Sequence, residues 1–287
     1  MLVPVSSQHL DISGYNACLL PAGDGYMGLV RNTTRDAGST FGINKIAQFT
    51  LDHEFKTLSY KVLEDRSGRH IFRSWTTGPE DPRLVSATEF YAVTCDTNDR
   101  WQAEISKITF ADGVITKVVP QTASDRPRGV EKNWILLNSW GSERHLLYST
   151  HPFRFLRLDD RTGTGHIFHE YTIPGVTLHA HNGAAVRIGD EFLVTARVKE
   201  GHNYKHSVWI KFDRAYKCVG ISPPFRFEES SECRQPDGSF RAGGYEMNMS
   251  THREGDLLVC CVGVNDSYNI IVKYRLDDVL SFISPLS

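Results

Sequence analysis

The sequence predicts an all-β protein in which one domain, residues 1–287, forms a five-bladed β-propeller. Helical periodicity is nearly absent, and its longest candidate is the short tail Leu276–Ile283. Most of the chain consists of short apolar runs separated by Gly, Asp and Asn turns, which is typical of β-strands. A unit of strands recurs five times at intervals of roughly fifty to sixty residues, enough for one four-stranded antiparallel blade.

Each unit opens with a hairpin of two predicted strands joined by a polar turn. The first strands are Ala17–Leu20, Leu84–Val85, Trp134–Asn138, Ala184–Arg187 and Met247–Ser250. The second strands are Tyr26–Arg31, Phe90–Cys95, His145–Ser149, Glu191–Val198 and Leu257–Val264.

A third apolar strand closes each unit. These strands are Ala47–Asp52, Ile105–Phe110, Phe155–Asp159, Trp209–Asp213 and Lys273–Asp277. An irregular β-sandwich is the alternative, but it does not require a hairpin and a closing strand at this regular spacing.

Composition and charge limit the classes of function. The chain is 40% hydrophobic and 23% charged, an ordinary soluble composition, and its net charge of -2 argues against non-specific nucleic-acid binding. Met1–Ser7 has no basic segment and no long apolar stretch follows, so we expect neither a signal peptide nor a membrane span. The six cysteines form no CxxC pair, and several lie in apolar runs, which predicts free thiols. We therefore expect a cytoplasmic protein, with an organelle address left open.

The stretch Gly78–Arg83 places two carboxylates and a guanidinium within four residues, directly before a predicted strand. Pro79 and Pro82 stiffen this stretch and disfavour helix. A hydrophobic core does not need such an arrangement, whereas a carboxylate beside a fixed arginine has a controlled pKa. The alternative is a turn whose acids accept hydrogen bonds from backbone amides.

Propeller geometry gathers the unusual polar residues on one rim. The first strand of each blade lines the central channel, so the residues before it and the residues after the second strand lie at the same end. These residues are Asn16, Arg31, Glu80, Asp81, Arg83, Asp96, Arg128, Glu131, Lys132, Asn133, His151, His179, His181, Asn182, Arg197, Tyr245, Glu246 and Asp266. A polar pocket at the mouth of the ring is the default hypothesis for a ligand site.

The residue types at this rim suggest sugar and phosphate chemistry. Asp81 suits a general acid, and mixed donors and acceptors such as Asn16, Arg31 and Asp266 suit sugar hydroxyls. The side chains suited to a polyanion are Arg83, Arg128, Lys132 and Arg197. The aromatic side chains suited to stacking on sugar rings are Trp75, Trp134, Tyr148 and Tyr268.

Several of these residues have simpler explanations. Arg128 and Lys132 also fit solvated loop charges, Trp134 fits the core, and Asp266 fits a turn. His179 and His181 lack an obvious third ligand, so we expect no metal and no cofactor.

With these residues in place, the chain resembles the β-mannoside phosphorylases of glycoside hydrolase family 130 and the related β-1,2-mannosyltransferase/phosphorylases of glycosyltransferase family 108. The resemblance runs from about Asn16 to about Val279. The motifs that carry it are Asn16 with Arg31, Glu80–Arg83, Glu131–Trp134, Tyr204-x-His206, Ser222-x-Pro224-Phe225 and Gly263–Asp266.

The resemblance implies a role for each matching residue. Asp81 matches the catalytic aspartate, and Asn16, Arg31 and Asp266 match residues that hold mannose before the scissile bond. Other motif residues expected to bind substrate are Glu80, Arg83, Tyr204 and His206. The phosphate-binding group is Arg128, Lys132, His181 and Arg197. Arg197 stands where many relatives have histidine, which bears on phosphate affinity or donor choice.

The implied activity is an inverting phosphorylase that acts on β-mannosides and forms or uses α-mannose 1-phosphate. The expected partners are mannose, manno-oligosaccharides and inorganic phosphate or mannose 1-phosphate, and β-1,2 linkage rests on the resemblance alone. Three alternatives stay open: a GDP-mannose-dependent mannosyltransferase, a β-mannosidase that uses Glu131 or Glu246 as its base, and a non-catalytic carbohydrate-binding propeller.

Overall fold

The structure, a computed structural model, describes residues 2–35, 42–68, 76–95, 97, 102–124, 134–140, 143–176, 178, 180–181, 183–200, 203–227 and 246–286. These residues form β-strands and one short α-helix, which confirms the all-β prediction. The helix α1 spans Leu276–Phe282, where the sequence predicts it. Among the described residues, no helix is long and apolar enough to cross a bilayer.

The strands follow the five predicted units. After β1 (Ser6–His9), unit one contains β2 (Tyr15–Ala22), β3 (Gly25–Arg35), β4 (Gly42–Leu51) and β5 (Thr57–Val62), followed by the short strands β6 (Glu64–Asp65) and β7 (Thr76–Thr77). Unit two contains β8 (Glu80–Ser86), β9 (Glu89–Thr94), β10 (Glu104–Ala111) and β11 (Val114–Ala123). Unit three contains β12 (Ile135–Trp140), β13 (Glu143–Thr150), β14 (Phe153–Asp159) and β15 (Thr164–Tyr171). Unit four contains β16 (Ala180–His181), β17 (Ala185–Ile188), β18 (Glu191–Glu200), β19 (Asn203–Phe212) and β20 (Cys218–Ile221). Unit five contains β21 (Glu246–Glu254), β22 (Leu257–Val264) and β23 (Tyr268–Arg275), and β24 (Ser284–Pro285) follows α1.

The second unit departs from the prediction in one respect. Its first strand begins at Glu80 rather than at Leu84, so the acidic motif lies inside β8 and not before it. The strand tolerates Pro82 because the register with β9 shifts between Glu80 and Arg83. A proline, which has no N–H to donate, is accommodated in a sheet at such an irregular position.

The two ends of the chain are held by strand pairing. β1 is antiparallel to β23, with Ser6 opposite Lys273, so an N-terminal strand completes the sheet of unit five. β24 is antiparallel to β20 of unit four. Units two and three share one sheet because β11 and β15 pair in parallel.

The hydrophobic core consists of five clusters that lie between units. Each cluster has members from two neighbouring units: units one and two (Cys18 and Phe90), two and three (Tyr91 and Leu146), three and four (Phe155 and Phe192), four and five (Trp209 and Tyr274), and five and one (Val259 and Phe49). Fully burying one such aromatic or aliphatic side chain is worth about 1.5–3 kcal/mol. Each unit is therefore stabilised by its neighbours on both sides.

The first strands of all five units line one cavity of about 300 Å³. The lining includes Leu19 of β2, Leu84 of β8, Leu136 of β12, Val186 of β17 and Met249 of β21. Residues that are distant in the sequence, from the first strand of every unit, therefore meet at this cavity.

The described cysteines have free thiols, as the sequence predicts: Cys18, Cys218, Cys260 and Cys261 are buried and Cys95 is half-buried. Burial raises the pKa of Cys18 to about 11. A thiol with such a pKa stays protonated and unreactive near neutral pH. Cys233 lies outside the described residues.

His252 lines the same cavity and gives the fold a predicted pH dependence. Burial lowers its pKa from 6.5 to about 4. The unfolded chain therefore binds this proton more readily than the folded chain, and the free energy of unfolding falls as the pH decreases through that window. We expect chemical denaturation to show a loss of about 2 kcal/mol between pH 6.5 and 4.5 that His252→Gln removes. Parallel curves for the two proteins would exclude His252 as the cause.

Candidate active site

A β-bulge positions Asn16 at the start of the first strand of unit one. In the β2–β3 ladder Tyr15 lies opposite Arg31 but Cys18 lies opposite Leu29, so β2 contains one extra residue. Asn16 occupies this bulge with a φ of 55°. Such left-handed backbone is uncommon outside glycine, and Asn and Asp are the side chains that tolerate it best.

Unit two uses the same device for Asp81. Glu80 lies opposite Val93 and Arg83 opposite Tyr91, so β8 also contains one extra residue. Asp81 has a φ of 51°. In a regular strand, successive side chains point to opposite faces of the sheet. Each bulge interrupts this alternation and so changes the direction of the Asn16 or Asp81 side chain.

Asn16 joins two carboxylates that are distant in the sequence. Its Nδ2 donates to Oδ1 of Asp81 and to Oδ1 of Asp266, each at 2.9 Å. Asn16 is fully buried, with 1% of its surface exposed. The two carboxylate oxygens therefore cannot lie further apart than twice that hydrogen-bond length.

Asp266 reaches this position from a tight turn between β22 and β23. Ser267 N donates to Val264 O at 3.0 Å, and the central residues Asn265 and Asp266 have φ values of 56° and 48°. Two consecutive left-handed residues characterise a type I′ hairpin turn, in which Asn and Asp are favoured. From the sequence, a turn is the simpler explanation of Asp266. The structure has this turn, and the turn also places the Asp266 carboxylate within hydrogen-bond distance of Asn16.

Arg31 provides the positive charge of the cluster. Its Nη1 lies 3.3 Å from Asp81 Oδ1 and its Nη2 lies 3.4 Å from Glu80 Oε1. Burial opposes the charge, but Glu80 and Asp81 more than compensate and raise the pKa of Arg31. Arg31 is therefore a permanent cation that holds two adjacent carboxylates.

The cluster of Asn16, Arg31, Glu80, Asp81 and Asp266 can perform acid–base and hydroxyl-binding chemistry. Three carboxylates face one guanidinium, so the cluster is rich in acceptors for sugar hydroxyls. The side chain of Asp81 is 17% exposed, whereas that of Glu80 is 10% exposed. Asp81 is thus held on one side by Arg31 and Asn16 and is open to solvent on another.

The structure adds supporting residues that sequence reasoning missed. Asn44 of β4 is 3% exposed, accepts from Arg31 Nε at 3.0 Å and donates to Glu80 Oε1 at 3.3 Å. The sequence carries no signal for this residue, because in β4 the apolar Ile43 is exposed and the polar Asn44 is buried, the reverse of what their polarity suggests. Asn269 accepts from Ala17 N at 2.8 Å, which anchors the strand beside Asn16.

Arg83 of unit two reaches the backbone of two other units. Its Nη1 donates to the carbonyl oxygens of Gly183, Met249 (3.1 Å) and Asn248 (3.4 Å), which belong to units four and five. Burial lowers its pKa to about 10 despite the opposing effect of Asp81. Arg83 Nη1 therefore bonds the backbone of units four and five, and the role of Arg83 in substrate binding stays a prediction.

The predicted phosphate-binding group is described only in part. Arg197 is buried in β18, opposite Ser207, and its charge contributes to the lowered pKa of Arg83. His181 lies opposite Arg197 in the β16–β18 pair, although only its backbone is described. Arg128 and Lys132 lie outside the described residues.

Two further predicted substrate-binding residues lie in β19. His206 is half-buried and lies opposite Val198, next to the Arg197–Ser207 pair. Only the backbone of Tyr204 is described. The roles of both residues stay predictions.

Two alternatives raised by the sequence can be compared with the structure. Trp134 is buried and packs on Tyr148 with ring centroids 5.8 Å apart, so it is a core residue and not a sugar platform. Glu246, a candidate base, is buried and accepts from Phe227 N at 2.7 Å, with Arg226 Nε at 4.0 Å. Glu131 and Trp75 lie outside the described residues. In the described part of the chain, no three His, Cys, Asp or Glu side chains form a metal-binding group.

Gly263 gives the site a sharp steric test. A Cβ at this position would overlap Asn16 Oδ1 and lie 2.9 Å from Asn16 Cα. We expect Gly263→Ala to displace Asn16 from both carboxylates, lowering stability by about 1–3 kcal/mol and reducing carbohydrate binding measured by calorimetry. Gly23→Ala is the control, because its φ of 58° imposes strain in open space far from the site. Unchanged binding in Gly263→Ala would argue against a role for Asn16.

Known protein families and curated proteins do not match this chain by sequence. Solved structures do match it by fold. The β-1,2-mannobiose phosphorylase from Listeria innocua, solved with β-1,2-mannobiose, has a TM-score of 0.63 and 9% identity and covers 96% of this chain and 93% of its own. A glycoside hydrolase family 130 structure, reported with hydrolases that target β-1,2-mannosidic linkages in Candida mannan, has a TM-score of 0.63 and 11% identity over 94% of this chain and 86% of its own.

A third match shows the range of this fold. The exo-β-1,3-galactanase from Phanerochaete chrysosporium, solved with β-1,3-galactotriose, has a TM-score of 0.60 and 12% identity over 100% of this chain and 66% of its own. Because the fold serves more than one sugar and linkage, it does not by itself define a substrate. The chain therefore shares its fold with glycoside phosphorylases and hydrolases that include family 130, as the resemblance in its motifs predicts.

Proposed function

We propose that this chain is an inverting glycoside phosphorylase that acts reversibly on β-mannosides, and that its five units close into a single-domain five-bladed propeller. The propeller is supported by inter-unit core clusters that run from unit one to unit five and back to unit one. It is also supported by the axial cavity, which takes lining residues from all five first strands.

The observation that carries the functional proposal is the position of Asp81. Its carboxylate is fixed by Asn16 and Arg31 and is linked through Asn16 to Asp266, on a fold shared with a β-1,2-mannobiose phosphorylase. Mannose bound at this cluster would offer its hydroxyls to carboxylate and guanidinium groups at once.

In the proposed mechanism Asp81 is the general acid. Phosphate attacks C1 of the mannosyl residue, the bond from C1 to the glycosidic oxygen breaks, and the proton of Asp81 passes to the leaving oxygen, directly or through a mannose hydroxyl. The products are α-mannose 1-phosphate and a shortened mannoside, and Asp81 regains a proton from the new phosphate ester or from solvent. In reverse, the reaction extends a β-mannoside, for which we propose β-1,2 linkage.

Phosphorolysis needs an anion site instead of a second carboxylate, because phosphate is already a nucleophile. We assign this site to Arg197 and, from the sequence, to Arg128, Lys132 and His181. Guanidinium groups suit it because they can bind phosphate oxygens in pairs.

Hydrolysis is the second candidate, because family 130 includes hydrolases. An inverting hydrolase separates its acid and base by about 6.5–9.5 Å to leave room for water. Asp81 and Asp266, which share one amide nitrogen at 2.9 Å, are too close for that pair of roles. This spacing argues against Asp266 as the base, and Glu246, a base candidate from the sequence, accepts from Phe227 N at 2.7 Å.

The experiment is a comparison of donors with the purified protein. α-Mannose 1-phosphate and GDP-mannose are each incubated with mannose, and released phosphate, released GDP and oligosaccharides are measured. We expect phosphate release with growing mannosides. Turnover with GDP-mannose alone would identify a mannosyltransferase, and absence of products from both donors would overturn the proposal.

A further inference from the structure

A second layer of hydrogen bonds supports Arg31 from the side of its Nε atom. Its members Tyr15, Thr33 and Asn44 lie on one face of unit one together with Arg31. The ladder explains why, since Tyr15 lies opposite Arg31 in β2–β3 and Thr33 lies opposite Asn44 in β3–β4. Arg31 and Thr33 are two residues apart, so their side chains share that face.

Both the oxygen and the nitrogen of the Asn44 side-chain amide form hydrogen bonds. Oδ1 accepts from Arg31 Nε at 3.0 Å and from Thr33 Oγ1 at 2.7 Å, and Nδ2 donates to Glu80 Oε1 at 3.3 Å. A carboxylate cannot donate to Glu80, and an aliphatic side chain can do neither. An amide is therefore the group that links the cation and its carboxylate partner here.

Tyr15 extends this layer in a defined direction. Thr33 has a single hydroxyl proton and donates it to Asn44, so at the 2.5 Å contact between Tyr15 and Thr33 the phenol is the donor. Burial raises the pKa of Tyr15, which keeps the phenol protonated and able to donate. The Tyr15 ring also lies 5.1 Å from the Arg31 guanidinium carbon. Arg31 is thus held by the face of the Tyr15 ring and by the Asn44 amide, which accepts from its Nε.

We propose that Asn44 is a positioning residue for the proposed reaction, one that orients the Arg31 guanidinium toward Glu80 and Asp81 and is itself oriented by Tyr15 through Thr33. Its catalytic consequence rests on the proposed function. Without the Nε bond, the guanidinium can rotate away from the carboxylates even though its charge is retained. A small misplacement at a reacting centre can cost about 10²-fold in rate.

Two variants and one matched control test the proposal. Asn44→Leu keeps the branched shape of the side chain but removes its hydrogen bonds to Arg31, Thr33 and Glu80. Thr33→Val removes the bonds of Thr33 to Asn44 and Tyr15 and leaves those of Asn44 to Arg31 and Glu80. Asn32→Ala is the control. Asn32 lies in β3 between Arg31 and Thr33, but its side chain donates to Tyr60 Oη at 3.1 Å and not to this layer. We expect kcat/KM for mannoside synthesis to fall about 10–100-fold in Asn44→Leu, to fall less in Thr33→Val and to stay unchanged in Asn32→Ala.

A double-mutant cycle separates positioning from a general loss of structure. If Asn44 acts through Arg31, Asn44→Leu has almost no further effect on kcat/KM in an Arg31→Lys background. Multiplication of the two effects would overturn the proposal. Thr33→Val provides the same cycle if Asn44→Leu does not fold.

A measurement without substrate distinguishes failure of this proposal from failure of the proposed function. We expect ¹⁵N relaxation of the Arg31 Nε–H group, assigned by its loss in Arg31→Lys, to show a rigid guanidinium in the wild type and Asn32→Ala. The same group should be mobile in Asn44→Leu and Thr33→Val. If the wild type has no phosphorylase activity but the relaxation differs in this way, positioning stands and the proposed function fails. A guanidinium that is equally rigid in all four proteins would overturn the positioning role.

Discussion

Asp81→Asn is expected to lose about 10²–10⁴-fold in turnover while retaining affinity for mannosides, because a positioned general acid typically contributes that factor. The amide keeps the size of the side chain and can still contact Arg31 through its oxygen, but it has no acidic proton to transfer. Steady-state kinetics give the loss in turnover, and calorimetry with a mannoside gives the affinity.

Asp112→Asn is a matched control for this substitution. Asp112 has the same left-handed φ of 51° as Asp81 but lies in the turn between β10 and β11, away from the site. We expect its activity to equal that of the wild type. Near wild-type turnover in Asp81→Asn would exclude Asp81 as the acid, and an equal loss in both variants would indicate a backbone effect instead.

Arg83→Met is expected to lower the free energy of unfolding by about 3–5 kcal/mol, because three backbone carbonyl oxygens lose a hydrogen-bond donor at once. The carbonyl oxygens of Gly183, Asn248 and Met249 lose their common donor in the interior of the fold. Each buried carbonyl left without a donor costs about 1–3 kcal/mol. Thermal unfolding should show a midpoint lower by roughly 6–20 °C.

Arg187→Met serves as the control for the loss of an arginine near the same cavity. Arg187 donates to Gly189 O at 2.7 Å and pairs with Asp190 at 3.1 Å in an exposed turn. Exposed pairs of this kind contribute about 0–1 kcal/mol. If Arg83→Met unfolds no earlier than Arg187→Met, Arg83 does not link units two, four and five as the structure indicates.

The repeated architecture could be predicted from the sequence because every unit needs the same pattern of apolar strands and polar turns. A hairpin such as β2–β3 must bury one face and end in a polar turn, and this requirement leaves a periodic signal. The start of β8 could not be predicted in the same way. Proline 82 argues against a strand, and a bulge that accommodates it depends on the partner strand β9.

The members of the site are easier to predict than the contacts between them. The propeller predicted from the sequence places Asn16, Asp81 and Asp266 at one end, but that prediction does not show that a single amide nitrogen bonds both carboxylates. That arrangement depends on left-handed backbone at all three residues. Asn44 is missed because a lone asparagine in an apolar strand has no local signal of its partners Arg31 and Glu80.

The most direct test of the proposed phosphorylase follows β-1,2-mannobiose and inorganic phosphate by ³¹P and ¹H NMR in the presence of the enzyme. Inverting phosphorolysis predicts α-mannose 1-phosphate and mannose in equal amounts, at a rate that depends on phosphate. Mannose alone at a rate independent of phosphate, or β-mannose 1-phosphate as the first product, would contradict it.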